Sequence, residues 1–325
     1  MEANDTFTLA RTSCGLSGLS QSQELEYIAS THSNYIKHVY ENTQPTAFSP
    51  HFENKIANIE QLTGDGNPFY RGNSLLERLS HARYVSSNEG VTENIAQHRY
   101  YTSAGNFVAT DTVAVSMARS LLAAPYHLRS LMRPSSGTIG TGFISYNPYN
   151  KDPQTNRGYV LVTHSDTTSE SKNNVPKGVF TYPCQGIQGT VTALYNENPN
   201  PVAGTNRDLR TDPIGQPIYI NVPTAKTIKV SNIKFYDNQR HLTVPVSLLD
   251  YDNDPHSATG YKLPNNEAFI LPLTDGLKSC EVGEKQGKNC GLYGNTEYRV
   301  SFDVLIDNKD LESKSFTFTT GKVNY

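Results

Sequence analysis

Four side chains in the first half of the sequence could do chemistry together: His51 and Glu53 in "SPHFENK", Glu93 in "TENIA" and His127 in "APYHLR". Neutral imidazoles offer lone pairs and carboxylates orient them from behind, so two of each around one cleft could hold a divalent cation. The same four could instead hydrogen-bond to one another. Singly, each has an ordinary explanation. His51, amid Pro, Asn and Ser, reads as a solvated loop residue. Glu93 reads as a helix-edge acid accepting backbone N–H bonds, and His127, just past Pro125, as a cap on the carbonyls of the preceding helix. His164, in "GYVLVTHS", alternates with apolar neighbours and reads as facing away from them, a reserve candidate. "LLDYDNDP" spaces Asp250, Asp252 and Asp254 as a calcium loop would. Pro255 stands where the tight turn needs Gly and no Glu follows at the twelfth position, so a turn with Asx bonds is expected there.

Other chemistry is excluded by what the sequence omits. It contains no G-x-S-x-G elbow, no H-E-x-x-H, no P-loop and no G-x-G-x-x-G after a strand, which disfavours the common hydrolases, zincins and nucleotide enzymes. A net charge of −3 with scattered Lys and Arg gives no footprint for nucleic acid. No apolar run is long enough for a membrane span. The N-terminus "MEANDTF" has neither a basic nor an apolar signal region, so an export signal, if the protein had one, is expected to be absent from this sequence. Few charges (18%), 20 Tyr and no Trp, with abundant Asn, Thr, Ser, Gly and Pro, fit an extracellular, loop-rich chain. Cys280 and Cys290 bracket the polar loop "EVGEKQGKN" and are expected to pair, leaving Cys14 and Cys184 as a second pair; both imply an oxidising compartment.

The elements that must position these residues change character along the chain. A polar leader precedes "SQSQELEYIASTHSNYIKHVYEN", where Leu25, Ile28, Tyr35, Ile36 and Val39 recur at helical spacing behind a Ser20/Gln23 capping box. A short helix begins at "SLLERLSHARY" with capping-box spacing of Ser74 and Glu77. "VTENIAQ" reads as a short extended or turn segment. A helix is expected from Asp111 to about Ala124, interrupted by Pro125. "TIGTGFISY" and "GYVLVTHS" read as neighbouring strands. From "VFTYPC" onward short strands alternate with Asn, Asp, Gly and Pro turns, the pattern of an immunoglobulin-like β-sandwich.

"SPHFENK", "GNPFYRGNSLLERLSHARY", "VTENIA" and "AAPYHLRSLMRPSSGTIGTGF" stand in an order that resembles bacterial members of the CAP superfamily (cysteine-rich secretory proteins, antigen 5 and pathogenesis-related 1), over roughly residues 20 to 170. The second half, ending "SFTFTTG", looks like the β-sandwich appended to some bacterial members. The resemblance implies an α+β fold: a CAP (SCP-like) α-β-α sandwich over residues 15–170, a connector over 171–215 and an immunoglobulin-like β-sandwich over 216–325. It also implies a central cleft in which His51 and His127 take the places of the two cavity histidines and Glu93 that of the acid in the Gly-Glu-Asn motif. Two departures stand out. Thr92 replaces the Gly, and no Glu lies where animal and plant members supply the second acid, a place Glu53 or Asp111 could fill.

The functional expectation is a secreted, periplasmic or envelope-associated protein of binding type, with no catalytic residue assigned. Its cleft of His51, Glu53, Glu93 and His127 would take a small-molecule or peptide-like ligand or a cell-surface component. Weak, conditional zinc on His51 and His127 is expected, with no cofactor required. Nucleic acid is not expected as a partner. A metal-dependent hydrolase, or an adhesion or scaffold protein acting through the β-sandwich, are the alternatives.

Overall fold

The computed structural model describes residues 2–103, 105–258, 260–282 and 286–324. In chain order the helices are α1 (Glu2–Ser13), α2 (Gln23–Asn42), α3 (Leu75–His81), α4 (Thr110–Leu121), α5 (Pro125–Leu131) and α6 (Ser169–Asn173). The strands are β1 (Ser20–Gln21), β2 (Thr92–Tyr101), β3 (Ser136–Tyr146), β4 (Asn156–Thr167), β5 (Phe180–Tyr182), β6 (Gln188–Thr190) and β7 (Ile218–Asn221), then β8 (Ile228–Asp237), β9 (Leu242–Thr243), β10 (Val246–Asp250), β11 (Glu267–Pro272), β12 (Glu297–Ile306) and β13 (Asp310–Thr320). The fold therefore mixes helix and sheet in its first half and is strand-dominated in its second. The chain divides into two compact units, one made of residues 1–8, 17–121 and 135–174, the other of residues 9–16, 122–134 and 175–325.

The first unit is built on a four-stranded sheet in the order β1-β3-β4-β2, antiparallel except for the β1–β3 pair. Helix α2 packs on β3 and β4, burying the stripe Leu25, Ile28, Ala29, Tyr35, Ile36 and Val39. The cap that starts it is Ser22, whose hydroxyl accepts from Leu25 N, rather than the expected Ser20. Two glycines of "IGTG" set how closely the helix can approach. A Cβ on Gly140 would run into the backbone of Leu25 and Glu26, and one on Gly142 into the backbone of Ala29. Helix α4 lies against β2 and β4 and buries Val113, Ala114, Met117, Ala118 and Leu121. Val160 and Val162 belong to the cluster on the α2 side. Covered in this way, β4 is buried along nearly its whole length, as sheets packed on both faces are.

Three further expectations need correcting in the first half of the chain. "VTENIAQ" is no short segment but the start of the ten-residue strand β2, whose alternation continues through His98 and Tyr100. The helix expected over Asp111 to Ala124 ends at Leu121, and Pro125 opens α5 at a position where its missing N–H costs nothing. The polar leader is helix α1, whose buried Ala3, Phe7 and Ala10 recur at helical spacing. The expected pairing of "TIGTGFISY" with "GYVLVTHS" is present as the β3–β4 ladder, and Ser74 caps α3 as read, accepting from Glu77 N.

In the second unit, a sheet ordered β10-β11-β7-β5 and a sheet ordered β6-β13-β12-β8-β9 share one apolar core. Ile218, Ile220 and Ile270 come from the first sheet, and Phe235, Tyr298, Val300, Phe302 and Phe318 from the second. The expected disulfides Cys14–Cys184 and Cys280–Cys290 are both formed. Residues 283–285 of the loop between the latter pair lie outside the described residues. The aspartates of "LLDYDNDP" make a turn: Asp250 Oδ1 accepts from the N–H groups of Asp252 and Asn253.

Candidate functional site

The site grows from a cross-strand pair. Glu93 on β2 sits directly opposite His164 on β4, and Ile95 opposite Val162, so Glu93 and His164 share the face on which α2 packs. This corrects the reading of His164. It lies on the same face as Val160 and Val162 rather than away from apolar neighbours, and it is fully buried. Its Nε2 donates to Glu93 Oε2 at 2.8 Å. Nothing in the described structure accepts from or donates to its Nδ1.

Helix α2 brings the next member. His32 follows Ile28 by one turn on the buried stripe, and the close seating of α2 over Gly140 and Gly142 lowers it onto the network. Its Nδ1 is 2.7 Å from Glu53 Oε1 and its Nε2 is 2.8 Å from the Pro50 carbonyl oxygen, with Glu93 Oε2 3.9 Å from Nε2. A carbonyl oxygen only accepts, so Nε2 carries a hydrogen, and the Nδ1–Glu53 contact holds one further proton shared between imidazole and carboxyl. The loop residue Glu53 is completely buried, its Oε2 accepting from Arg71 N at 2.7 Å.

Helix α3 contributes Arg78, 1% exposed, with its Nη2 2.7 Å from Glu93 Oε2 and its Nε 3.9 Å from Glu53 Oε1. His51 completes the set, its Nδ1 2.9 Å from Glu93 Oε1, with 33% of its side chain exposed. Burial alone would raise the Glu93 carboxyl. The electrostatic pull of the nearby His32 ring, hydrogen bonds from His164 and His51, and the Arg78 guanidinium together hold it well below the usual carboxylate range. Burial pushes the His164 imidazole down, against the pull of Glu93, and favours its neutral form.

Of the four residues singled out in the sequence, the structure therefore joins His51, Glu53 and Glu93. His127 belongs to the second unit, where its Nδ1 is 3.0 Å from Glu197 Oε1. That oxygen also accepts from the backbone N–H groups of Tyr126 and His127, so His127 stands at the start of α5 and does not cap the helix before it. Burial pushes the Glu197 carboxyl up, partly offset by the His127 bond. Asp111 lies exposed in the first turn of α4. Glu93 is a strand residue with side-chain partners, not the helix-edge acid of the bland reading.

Sequence reading passed over His32, Arg78 and Glu197. The first two carried a signal: each is polar on an otherwise apolar helical stripe, His32 between Ile28 and Ile36, and Arg78 beside Leu75 and Leu79. Glu197, in the Asn- and Pro-rich "NENPNP", carried none.

The donor set decides how a metal would fare. Both Glu93 oxygens already accept from protein donors, and Arg78 supplies the positive charge a cation would bring. Among the described residues, no group of three or more His, Cys, Asp and Glu is arranged to hold a metal ion. The arrangement does not fit a resident zinc. Chemically it is a buried, proton-holding network, and His51 is its most exposed member.

Beside it lies a small depression lined by Tyr27, Thr31, His32, Arg71, Arg78 and His81. His32 and Arg78 are therefore at once members of the network and walls of the depression.

No curated protein matches the chain. Among solved structures, CopC from Methylosinus trichosporium OB3b aligns with 45% of this chain and 92% of its own, at 10% identity and a TM-score of 0.23, too low to bear on fold or function. A family model described as "Cysteine-rich secretory protein family" matches residues 5–164, a stretch that contains α2, the Gly140 and Gly142 seat and every member of the Glu93 network. Through residues 5–164 this chain belongs to the cysteine-rich secretory protein (CAP) family.

Proposed function

We propose that the protein is a secreted or envelope-associated binding protein whose ligand seats against the Glu93 network and is not chemically altered there. The depression lined by Tyr27, Ile28, Thr31, His32, Arg71, Arg78, His81 and Ala82 supports this reading, because its wall includes His32 and Arg78 of the network. With a volume of about 10 Å³ and only apolar surface, it has room for a methyl-sized end of a small molecule or peptide, the remainder lying over the exposed ring of Tyr27. Membership of the CAP family and the two disulfides support an extracellular setting. The two sheets around one core in the second unit support its reading as an immunoglobulin-like sandwich.

The test is a side-chain NMR titration of histidine-labelled protein with a library of short peptides and small apolar acids and amides. A true ligand should shift the His32 and His51 resonances together, and Thr31→Trp, which fills the depression, should abolish that response. If no compound moves either histidine, or the Trp variant responds as the wild type does, the reading fails.

A further inference from the structure

The outer face of the five-stranded sheet holds a second feature, independent of the Glu93 network. Strand alternation sends Tyr298, Val300 and Phe302 of β12 into the core and Arg299 and Ser301 outward. The register sets Arg299 opposite Tyr236 of β8 and Thr317 of β13, and Ser301 opposite Lys234 and Ser315. Together with the β8–β9 turn these residues line an open depression of about 1010 Å³, whose polar walls include Lys234, Tyr236, Asn238, His241, Arg299 and Ser301.

Its lining is cationic, with Glu297 and Asp303 flanking it two residues beyond Arg299 and Ser301 on the same face of β12. None of the residues lining it is a carboxylate, and Lys234 and Arg299 make no ion pair among the described residues, although the chain as a whole carries a net charge of −3. Nor are the groups loose. Arg299 Nη2 donates to Asn238 Oδ1 at 3.0 Å, Asn238 Nδ2 donates in turn to Glu297 Oε1 at 2.6 Å, and the Tyr236 hydroxyl lies 3.3 Å from His241 Nδ1. A guanidinium held in place beside a lysine two residues along the neighbouring strand is suited to carboxylates spaced along a chain. Tyr236 adds a ring face for the C–H surface of a sugar, and the serine hydroxyls can both donate to and accept from sugar hydroxyls.

We propose that this face binds an acidic polysaccharide of the uronate type, with Arg299 and Lys234 pairing with its carboxylates and Tyr236 stacking on a sugar ring. A polyphosphate would use the cations without stacking on the ring.

Calorimetric titration of the full chain with oligogalacturonate, neutral galacto-oligosaccharide and polyphosphate tests this. Oligogalacturonate should bind at low salt and weaken as salt is raised, and the neutral sugar should not bind. Lys234→Ser with Arg299→Ser, and Tyr236→Ala alone, should each weaken binding about tenfold or more, about 1.4 kcal/mol. These side chains lie on the solvent face, so thermal unfolding should be unchanged. Lys309→Ser, which removes an exposed cation outside this depression, should leave the affinity intact. No binding of oligogalacturonate, equal binding by the variants, or polyphosphate binding as strong and indifferent to Tyr236→Ala would each overturn the proposal.

Discussion

Replacing Arg78 by Met tests whether the Glu93 network is held together by its internal cation. The side chain is 1% exposed and faces Glu93 (5% exposed) at 2.7 Å and Glu53 (fully buried) at 3.9 Å. Methionine keeps much of the volume and removes the charge, leaving two buried carboxylates with only imidazoles for company. At an effective dielectric constant of about 20, a unit pair near 4 Å is worth about 4 kcal/mol, and removing one partner of a buried pair costs about 3–5 kcal/mol by experience with other proteins. For a unit of this size that corresponds to a fall in Tm of roughly 6–20 °C. The assay is chemical and thermal unfolding of Arg78→Met, Arg78→Lys, Glu93→Gln and the Arg78→Met/Glu93→Gln double variant. Lysine, which keeps the charge and loses the fork, should fall between wild type and Met. The double variant should be more stable than the sum of the two single losses, with a coupling above about 1.5 kcal/mol. A loss below about 1 kcal/mol for Arg78→Met, or strict additivity, would refute the argument.

Three further outcomes follow from the same geometry. The lowered His164 imidazole penalises the fold as pH drops below about 6.5, and the depressed Glu93 carboxyl withdraws its contribution as pH falls below about 4.5 through its folded value; Tm measured from pH 7.5 to 4 should therefore decline on acidification, with the lower limb missing in Glu93→Gln, and a flat wild-type profile would contradict both shifts. Gly140→Ala puts a methyl group against the backbone of Leu25 and Glu26, and should cost about 1–3 kcal/mol while displacing the His32 resonance; a neutral change would mean α2 is not seated as described. Replacing Cys280 and Cys290 by Ser opens a loop of 10 residues and should lower the stability of the second unit by about 2–3 kcal/mol in denaturant titrations, with the His51 and His32 resonances unmoved.

Much of the scaffold was written in local patterns. The apolar stripe from Leu25 to Val39, the cap at Ser74 and the two runs that form β3 and β4 depend on neighbours in sequence and were readable from it. Strand β2 was not, because "TENIAQHRYY" pairs with β4 over its full length only once the sheet exists, and its His, Arg and Gln hide the alternation. The site was half legible. His51, Glu53 and Glu93 came from ordered motifs, whereas His32 and Arg78 had to be noticed as charged or polar intrusions on apolar stripes. The partnership of His127 with Glu197 joins residues 70 apart that no spacing rule connects.

The interleaving of the two units has a consequence for how the molecule is made and could be taken apart. The chain changes unit after Thr8, Leu16, Leu121, Pro134 and Asn174. A ribosome that has released residue 174 has supplied everything the first unit needs, yet residues 9–16 and 122–134 must then wait for strands still unsynthesised. Those two segments, which include Arg11 with its guanidinium on the Leu131 and Arg133 carbonyl oxygens, are in effect loans held open until the C-terminal sheets arrive. No single cut yields either unit whole, so a gene fragment ending near residue 174 would encode the Glu93 network with two orphaned stretches attached, and transplanting the cleft into another protein would require excising and bridging both.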